Sequence, residues 1–317
     1  MHGLVQPDGD LSVRAAWLSL AGGLTQEQIA ERLGVSRVKV ARLIARAQRE
    51  GRIKVFVEGS VTACLELEDS LCARFGLSGC HVAPSIDDDP LPLRVLGPAG
   101  AQALQQVLER EEITVIGVGH GRTLAAAVQA LPWTSRPDLR FVALLGSLTR
   151  SAATNPFDVI ARLADKSGGT GYYMPAPFRC DSEEDRAVFL GQRTLRQVFD
   201  LARLAQVMVV GVGAVQRDSH MVQSDVLTAE EHDEVVRCGA CGELLGTFID
   251  ADGRPVDTQV NQRCIALPLE SLAGKEVILL AGGHGKARAA RSALKTGLIR
   301  QLITDEATAR RIVELGV

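Results

Sequence analysis

Apolar positions recur along this chain with two different periods, and the change falls near Cys80. Before it, hydrophobic residues return every three or four positions, the spacing of one helix face. Leu11–Ala21 (LSVRAAWLSLA) predicts a helix with Val13, Trp17 and Leu20 on its inner side and Trp17 as core anchor. Ile29, Ala30 and Leu33 stripe a second helix, and Val40, Ile44 and Ala47 a third. Arg52–Glu58 (RIKVFVE) alternates instead and predicts a short wing or strand. Val61–Phe75 is again amphipathic, with Leu65, Leu67, Leu71 and Phe75 on one side.

After Cys80, strand-like and helix-like segments alternate. Strands are expected at His81–Ala83, Ile113–Val118, Arg140–Leu145, Val207–Val212, Cys264–Leu269, Val277–Ala281 and Gln301–Thr304. Helices are expected at Leu91–Arg110, Thr123–Leu131, Pro156–Lys166, Gln192–Ala205, Lys286–Thr296 and Asp305–Leu315. Several of the strands are unbroken apolar runs, as in a parallel sheet covered on both faces. The predicted class is α/β: a small all-helical head over residues 1–58, then a doubly wound, mostly parallel-sheet domain over 59–317.

Local signals sharpen the head. Thr25 and Gln28 have capping-box spacing, Gly34 suits a left-handed C-cap, and Ser36 suits the next N-cap. Two short helices across a tight turn form a helix–turn–helix, whose second helix enters the major groove of double-stranded DNA. Ser36, Arg37, Lys39 and Arg42 are the candidates for base contact, with Thr25 and Gln26 at the start of the first helix. Arg46, Arg49, Arg52 and Lys54 lie further along and suit phosphates. The bland alternative is a helical hairpin with a solvated basic face.

Charge separates the two parts. The 317-residue chain carries a formal net charge of −3. Leu11–Val57 holds nine cations against three carboxylates, a net +6, which leaves −9 elsewhere. A basic head on an acidic body suits docking of the head alone on a polyanion. Hydrophobic residues at 46% and charged residues at 23% describe a globular protein, and no apolar run is long enough for a membrane span. The N-terminus lacks a signal-peptide pattern, and 7 scattered Cys residues read as reduced thiols, so a cytoplasmic location is expected. Cys238-Gly-Ala-Cys241, with only His232 nearby, is an incomplete metal site; neither metal nor cofactor is expected.

Three loops after expected strands could carry chemistry. Gly117–Thr123 (GVGHGRT) opens a helix, where free N–H groups and Gly backbone can approach an anion, with Arg122 and Thr123 adding polar groups. It is neither a Walker A loop nor a dinucleotide fingerprint. Gly282–Lys286 (GGHGK) offers Gly283 and the Lys286 ammonium, and Gly146-Ser147 follows a third strand. In open α/β sheets such loops converge beyond the carboxyl ends of the strands. Either Gly-rich loop could also be a plain turn, as could Asp250–Gly253.

The order of TQEQIAERLGVSRVKVARLIARAQREGRIKV, LEDSLCARFGL, VIGVGHGRTLAAAV, NPFDVIARLADKSGG, GELLGTFIDADGRPVD and LLAGGHGKARAARSAL resembles the SorC family of sugar-responsive regulators, akin to the DeoR type. The resemblance runs from about Leu11 to Leu315. It implies an N-terminal DNA-binding head and an effector domain like sugar-phosphate isomerases and deaminases. It places an effector phosphate on Gly119, Gly121, Arg122 and Thr123, assisted by Lys286, and a sugar on Glu243. Asn155, Asp158, Asp250 and Asn261 are lesser candidates. It also implies a homo-oligomer, dimer or tetramer, whose operator affinity follows a sugar, polyol or sugar-phosphate effector. The competing reading is an isomerase or deaminase with an accessory head, but no acid–base pair stands at recognisable spacing.

Overall fold

The computed structural model describes residues 8–53, 62–86, 89–147, 158–217, 222 and 226–316. The chain divides into two compact units, Met1–Glu58 and Gly59–Val317.

The smaller unit contains α1 (Asp8–Leu20), α2 (Gln26–Leu33) and α3 (Arg37–Arg49). Thr25 and Gln28 close the capping box, so two free N–H groups at the start of α2 are satisfied reciprocally. Gly34 ends α2 at φ 66°, a conformation that costs a residue without Cβ nothing. Ser36 then accepts from the Lys39 N–H and starts α3. Ala15, Leu18, Ile29, Val40 and Leu43 form the core of this unit.

Trp17 is not that core's anchor. It is 63% exposed, and Val13 and Leu20 are exposed with it, while Ser12, Ala15, Ala16 and Leu18 turn inward. Two stripes on α1 share the same helical spacing, and the one with small residues lies inside. Alanines let α1 approach α3 closely, whereas an indole would hold the two helices apart. The expected wing lies mostly outside the described residues; of it, only Arg52 and Ile53 are described.

In the larger unit seven strands form one sheet: β1 (Gly79–Ala83), β2 (Val115–Val118), β3 (Arg140–Ala143), β4 (Thr170–Tyr172), β5 (Val207–Val210), β9 (Glu276–Leu280) and β10 (Gln301–Asp305). Their order is β1-β10-β9-β5-β2-β3-β4, and every neighbouring pair is parallel. Both β2 and β5 are buried along their whole length, as their unbroken apolar sequences require. From β2 the chain builds outward through β3 and β4, whereas β5 flanks β2 on its other side. That reversal makes the β2–β5 boundary the switch point of the sheet. Helix Thr62–Phe75 packs Cys64 and Leu71 into the core of this unit.

A three-stranded antiparallel sheet of β6 (Gly213–Ala214), β7 (Gly242–Leu244) and β8 (Thr247–Ile249) stands apart from the main sheet. Its β7–β8 hairpin turns through Leu245 and Gly246, at φ 48° and 81°. Two positive-φ residues give the turn that matches strand twist. Leu245 is the one non-glycine residue with positive φ among those described, an unfavourable geometry that its burial must offset.

The expected strand Cys264–Leu269 is absent from the main sheet. Ala266 makes a single antiparallel bridge to Leu145, and Cys264 another to Arg179. Strand β3 already lies between β2 and β4, so the segment can pair only with the chain beyond the end of β3. Leu267 N–H accordingly donates to Leu144 O, and Gly146 N–H donates to Ile265 O.

Candidate functional site

On the head, Ser36, Arg37, Lys39 and Arg42 are all exposed on the first half of α3. Arg37 lies 3.8 Å from Glu27, a pair too exposed to hold it from a partner. Arg46 is more committed, donating to Glu50 at 2.6 Å, and Arg52 flanks the same carboxylate at 3.8 Å. The Arg46 guanidinium beside it holds the Glu50 carboxyl below its ordinary range. Thr25 is occupied in its capping box, and Gln26 is exposed beside it. Sequence reasoning passed over Val38, which is 64% exposed between the cations. An exposed isopropyl group on the leading turn of such a helix has the chemistry to meet a thymine methyl.

In the larger unit, the loops after β2, β5 and β9 come together at the switch point. Gly119 N–H donates to Val209 O at 2.8 Å, locking the first loop onto β5. Gly121, at φ 138°, precedes helix Arg122–Ala130, and no side chain caps that helix. Its first N–H groups and positive dipole end therefore stay available to an anion. Among the described residues, no hydrogen bond or ion pair takes the exposed Arg122 guanidinium. Thr123 is half-buried behind it.

Lys286 reaches in from the third loop and donates to Val212 O. Burial pulls its pKa down; Glu243 opposes that fall and Arg122 adds to it. Glu243 sits on β7 opposite Gly213, with Gly246 N–H donating to Oε1. A Cβ at residue 213 would strike the carboxylate, so glycine there lets Glu243 keep this position. Burial raises the Glu243 pKa, against the Gly246 N–H and the charges of Lys286 and Arg179. The Leu245 side chain stands 3.6 Å from where a Cβ on Gly119 would lie, which closes the cluster on one side. Arg122, Lys286 and Glu243, far apart in sequence, thus share one electrostatic neighbourhood.

His120 belongs to the same loop, and its Nδ1 is buried without a hydrogen-bond partner among the described residues. Burial lowers its pKa, while Asp158 pulls the other way. Asp158 caps helix Val159–Ser167 through Ala161 N–H and accepts from the Tyr173 hydroxyl at 2.9 Å. Burial and this carboxylate raise the Tyr173 pKa to about 12.

Other candidates are committed to structure. Gly283 N–H donates to Asp305 and to Thr308, both at 2.9 Å, leaving no donor there for an anion. Asp250 accepts from the N–H groups of Asp252 and Arg254, so Asp250–Gly253 is the plain turn. Asn261 accepts from Phe248 N–H and donates to the carbonyls of Phe248 and Val256. Gly146 N–H is spent on Ile265 O, and Ser147 is tied to the segment 176–178, its N–H donating to Ala176 O. Asn155 lies outside the described residues. Cys238 and Cys241 carry free thiols, and no described group of three or more His, Cys, Asp or Glu gathers as a metal would need. Among the described residues no helix is long and apolar enough to cross a membrane.

Residues 60–314 match the family described as "Putative sugar-binding domain". The erythritol catabolism regulatory protein EryD of Brucella abortus is 43% identical over 310 residues, 98% of each chain. The chain belongs to the SorC family of sugar-responsive transcription regulators. The transcriptional regulator LsrR of Klebsiella pneumoniae is 32% identical to this SorC-family chain, over 99% of it and 96% of the relative. Full-length SorC, the sorbitol operon regulator of the same species, shares the fold: TM-score 0.72 and 24% identity, covering 96% of this chain and 99% of that one. A DeoR family regulator from Listeria monocytogenes gives a TM-score of 0.71 at 23% identity over 79% of this chain and 99% of its own. These relatives are transcription regulators by name, and this SorC-family protein is a regulator rather than an enzyme.

Arg179 has no signal in the sequence, where a lone arginine in PFRC stands at no recognisable spacing. It is buried, donates to Glu231 at 3.1 Å, and its Nε and Nη2 have no hydrogen-bond partner among the described residues.

Proposed function

We propose that this regulator controls a polyol or sugar catabolic operon and that its operator affinity follows a small phosphorylated polyol. The observation that carries this reading is the meeting of Arg122, Lys286 and an uncapped helix start with Glu243 at the sheet's switch point. Two cations and free N–H groups suit a phosphate, and a carboxylate beside them suits hydroxyls. Whole-length similarity to a regulator named for erythritol catabolism points to a four-carbon polyol.

In this reading Gly119, Gly121, Arg122, Thr123 and Lys286 hold the phosphate, and Glu243 holds the hydroxyls. Asp158 acts at the margin through His120, and Gly283 shapes the turn that presents Lys286. The exposed face of α3 reads the operator through Ser36, Arg37, Val38, Lys39 and Arg42, while Arg46 and Arg49 hold phosphates. Effector binding favours one arrangement of a homo-oligomer over another, and only that difference in affinity can move the operator equilibrium.

The test is a thermal-shift screen of sugar and polyol phosphates against their unphosphorylated parents, paired with gel shifts on the upstream intergenic DNA. Stabilisation by an erythritol phosphate well beyond erythritol itself, with a matching change in gel shift, is the expected result. Equal stabilisation by the free polyol would remove the phosphate from the reading.

A further inference from the structure

We propose that Arg179 is an effector-specificity residue, whose unpartnered guanidinium edge donates to a hydroxyl oxygen of the polyol while Glu243 accepts from the neighbouring hydroxyl. The inference rests on the reading of the Glu243 cluster as the effector site.

Placement comes first. Gly246, whose N–H holds the Glu243 carboxylate, lies directly against the chain that carries Arg179. A Cβ at residue 246 would stand 2.8 Å from the Phe178 ring and 3.4 Å from Cys264. Phe178 precedes Arg179, and Cys264 is its bridge partner. The Glu243 turn is therefore flanked by the Gly119 loop on one side, through Leu245, and by the Arg179 segment on the other.

Charge comes second. The side chain of Arg179 is 2% exposed. A guanidinium carries five donors and has no neutral form to retreat to. Nη1 donates to Glu231 Oε2, but the other Glu231 oxygen is held by Arg263 Nη2 at 2.5 Å. Two guanidinium groups thus share one carboxylate; the Arg179 charge also acts on Glu243 and on the Cys264 thiol, and its Nε and Nη2 are buried with no hydrogen-bond partner found among the described residues. Native interiors rarely leave such donors unpaired without a reason.

Chemistry comes third. A carboxylate has about four acceptor sites. Glu243 keeps some free after its backbone contact, and it can only accept. Arg179 can only donate. Adjacent hydroxyls each offer a proton and a lone pair, so an acceptor-only group beside a donor-only group fits a vicinal diol. A phosphate at Arg122 and Lys286 leaves the hydroxyl end of a short polyol phosphate facing this pair.

The experiment measures calorimetric affinities of the full-length protein for an erythritol phosphate and for butyl phosphate, which keeps the phosphate but lacks hydroxyls. Arg179→Met is expected to weaken the polyol phosphate by about 10- to 100-fold, the range for losing a hydrogen bond to a charged group, and to leave butyl phosphate unchanged. Arg122→Ala is expected to weaken both. Arg263→Gln disturbs the same ion cluster from its far side and is expected to change neither. If Arg179→Met binds the polyol phosphate as the unaltered protein does, or if Arg263→Gln loses as much, Arg179 serves only to hold Glu231. Should Arg179→Met fail to fold, Arg179→Lys keeps the charge without the fork and carries the same expectation with a smaller loss; no loss in that variant overturns the proposal. If the unaltered protein binds no phosphate at all but does bind a free polyol, the reading of the site fails while the Arg179 comparison is repeated on that polyol.

Discussion

Lys286 carries the clearest consequence at the scale of single residues. Its depressed pKa means that the charged form is penalised by burial in the fold. Its contribution to stability is therefore fully present above its unfolded pKa and is lost as pH falls through the depressed folded value. A phosphate placed beside it reverses the penalty, so binding is expected to take up a proton at pH above the depressed folded value. Calorimetry in buffers of different ionisation enthalpy measures that uptake directly. Affinity for a phosphorylated effector should fall by up to about tenfold per pH unit above the folded pKa, and Lys286→Met should abolish both the fall and the uptake. A binding heat independent of buffer would show that Lys286 keeps one protonation state throughout. Asn261 makes the opposite case. Its three bonds at the base of β8 are worth about 2–4 kcal/mol together, at roughly 1 kcal/mol each. Asn261→Ala should lower the melting temperature while leaving effector affinity at temperatures where the protein is folded within about threefold, the noise expected of a site whose polar atoms are already spent. What the sequence made legible here follows a rule: residues in loops that end strands, such as Arg122 and Lys286, announce themselves by Gly-rich neighbours. Arg179, Asn261 and Asp250 have partners distant in sequence or hidden in backbone, and nothing in their own neighbourhoods says which are free.

Elements show where hydrophobic pattern decides and where it does not. The head's capping box, left-handed glycine and second N-cap were all readable because each is a short-range hydrogen-bond requirement. The phase of α1 was not readable, because its two stripes, 11-15-18 and 13-17-20, differ only in side-chain size. Packing chose the smaller one. The consequence is measurable: Leu18→Ala should cost about 2–3 kcal/mol, at the low end for a buried leucine in a small core, and weaken hydrogen-exchange protection in α2 and α3. Trp17→Ala should change that protection by less than about 0.5 kcal/mol, as for an exposed position. Comparable losses for both would restore Trp17 to the core. Likewise, Cys264–Leu269 has the composition of a buried strand, yet a strand needs a free edge as well as apolar residues. The three short strands β6, β7 and β8 leave no pattern for the converse reason: two or three residues are too few to display a period.

At the scale of the whole molecule, the separation of charge makes a prediction about salt. The net +6 of Leu11–Val57 sits in a chain whose remainder is acidic, so operator binding should depend steeply on ionic strength even though the overall charge is negative. Phosphate contacts set the slope of log affinity against log salt, at about 0.9 per contact, whereas base contacts set sequence preference. Arg49 is exposed near the end of α3, the end that the proposed docking assigns to phosphates. Arg49→Ala should therefore reduce the slope by about one for each head bound and weaken operator and unrelated DNA alike. Arg42 lies one turn into the helix, so Arg42→Ala should cost about 1–3 kcal/mol on the operator and less on unrelated DNA. Neither substitution touches the Arg122–Lys286–Glu243 cluster, and effector-induced thermal stabilisation should survive both unchanged. Gel shifts over a salt series with both DNAs, run beside thermal shifts on the same samples, read all of these quantities. If Arg42→Ala lost effector stabilisation in step with operator affinity, recognition and sensing would not be divided between the two units, and the functional reading of the chain would have to be rebuilt from that coupling.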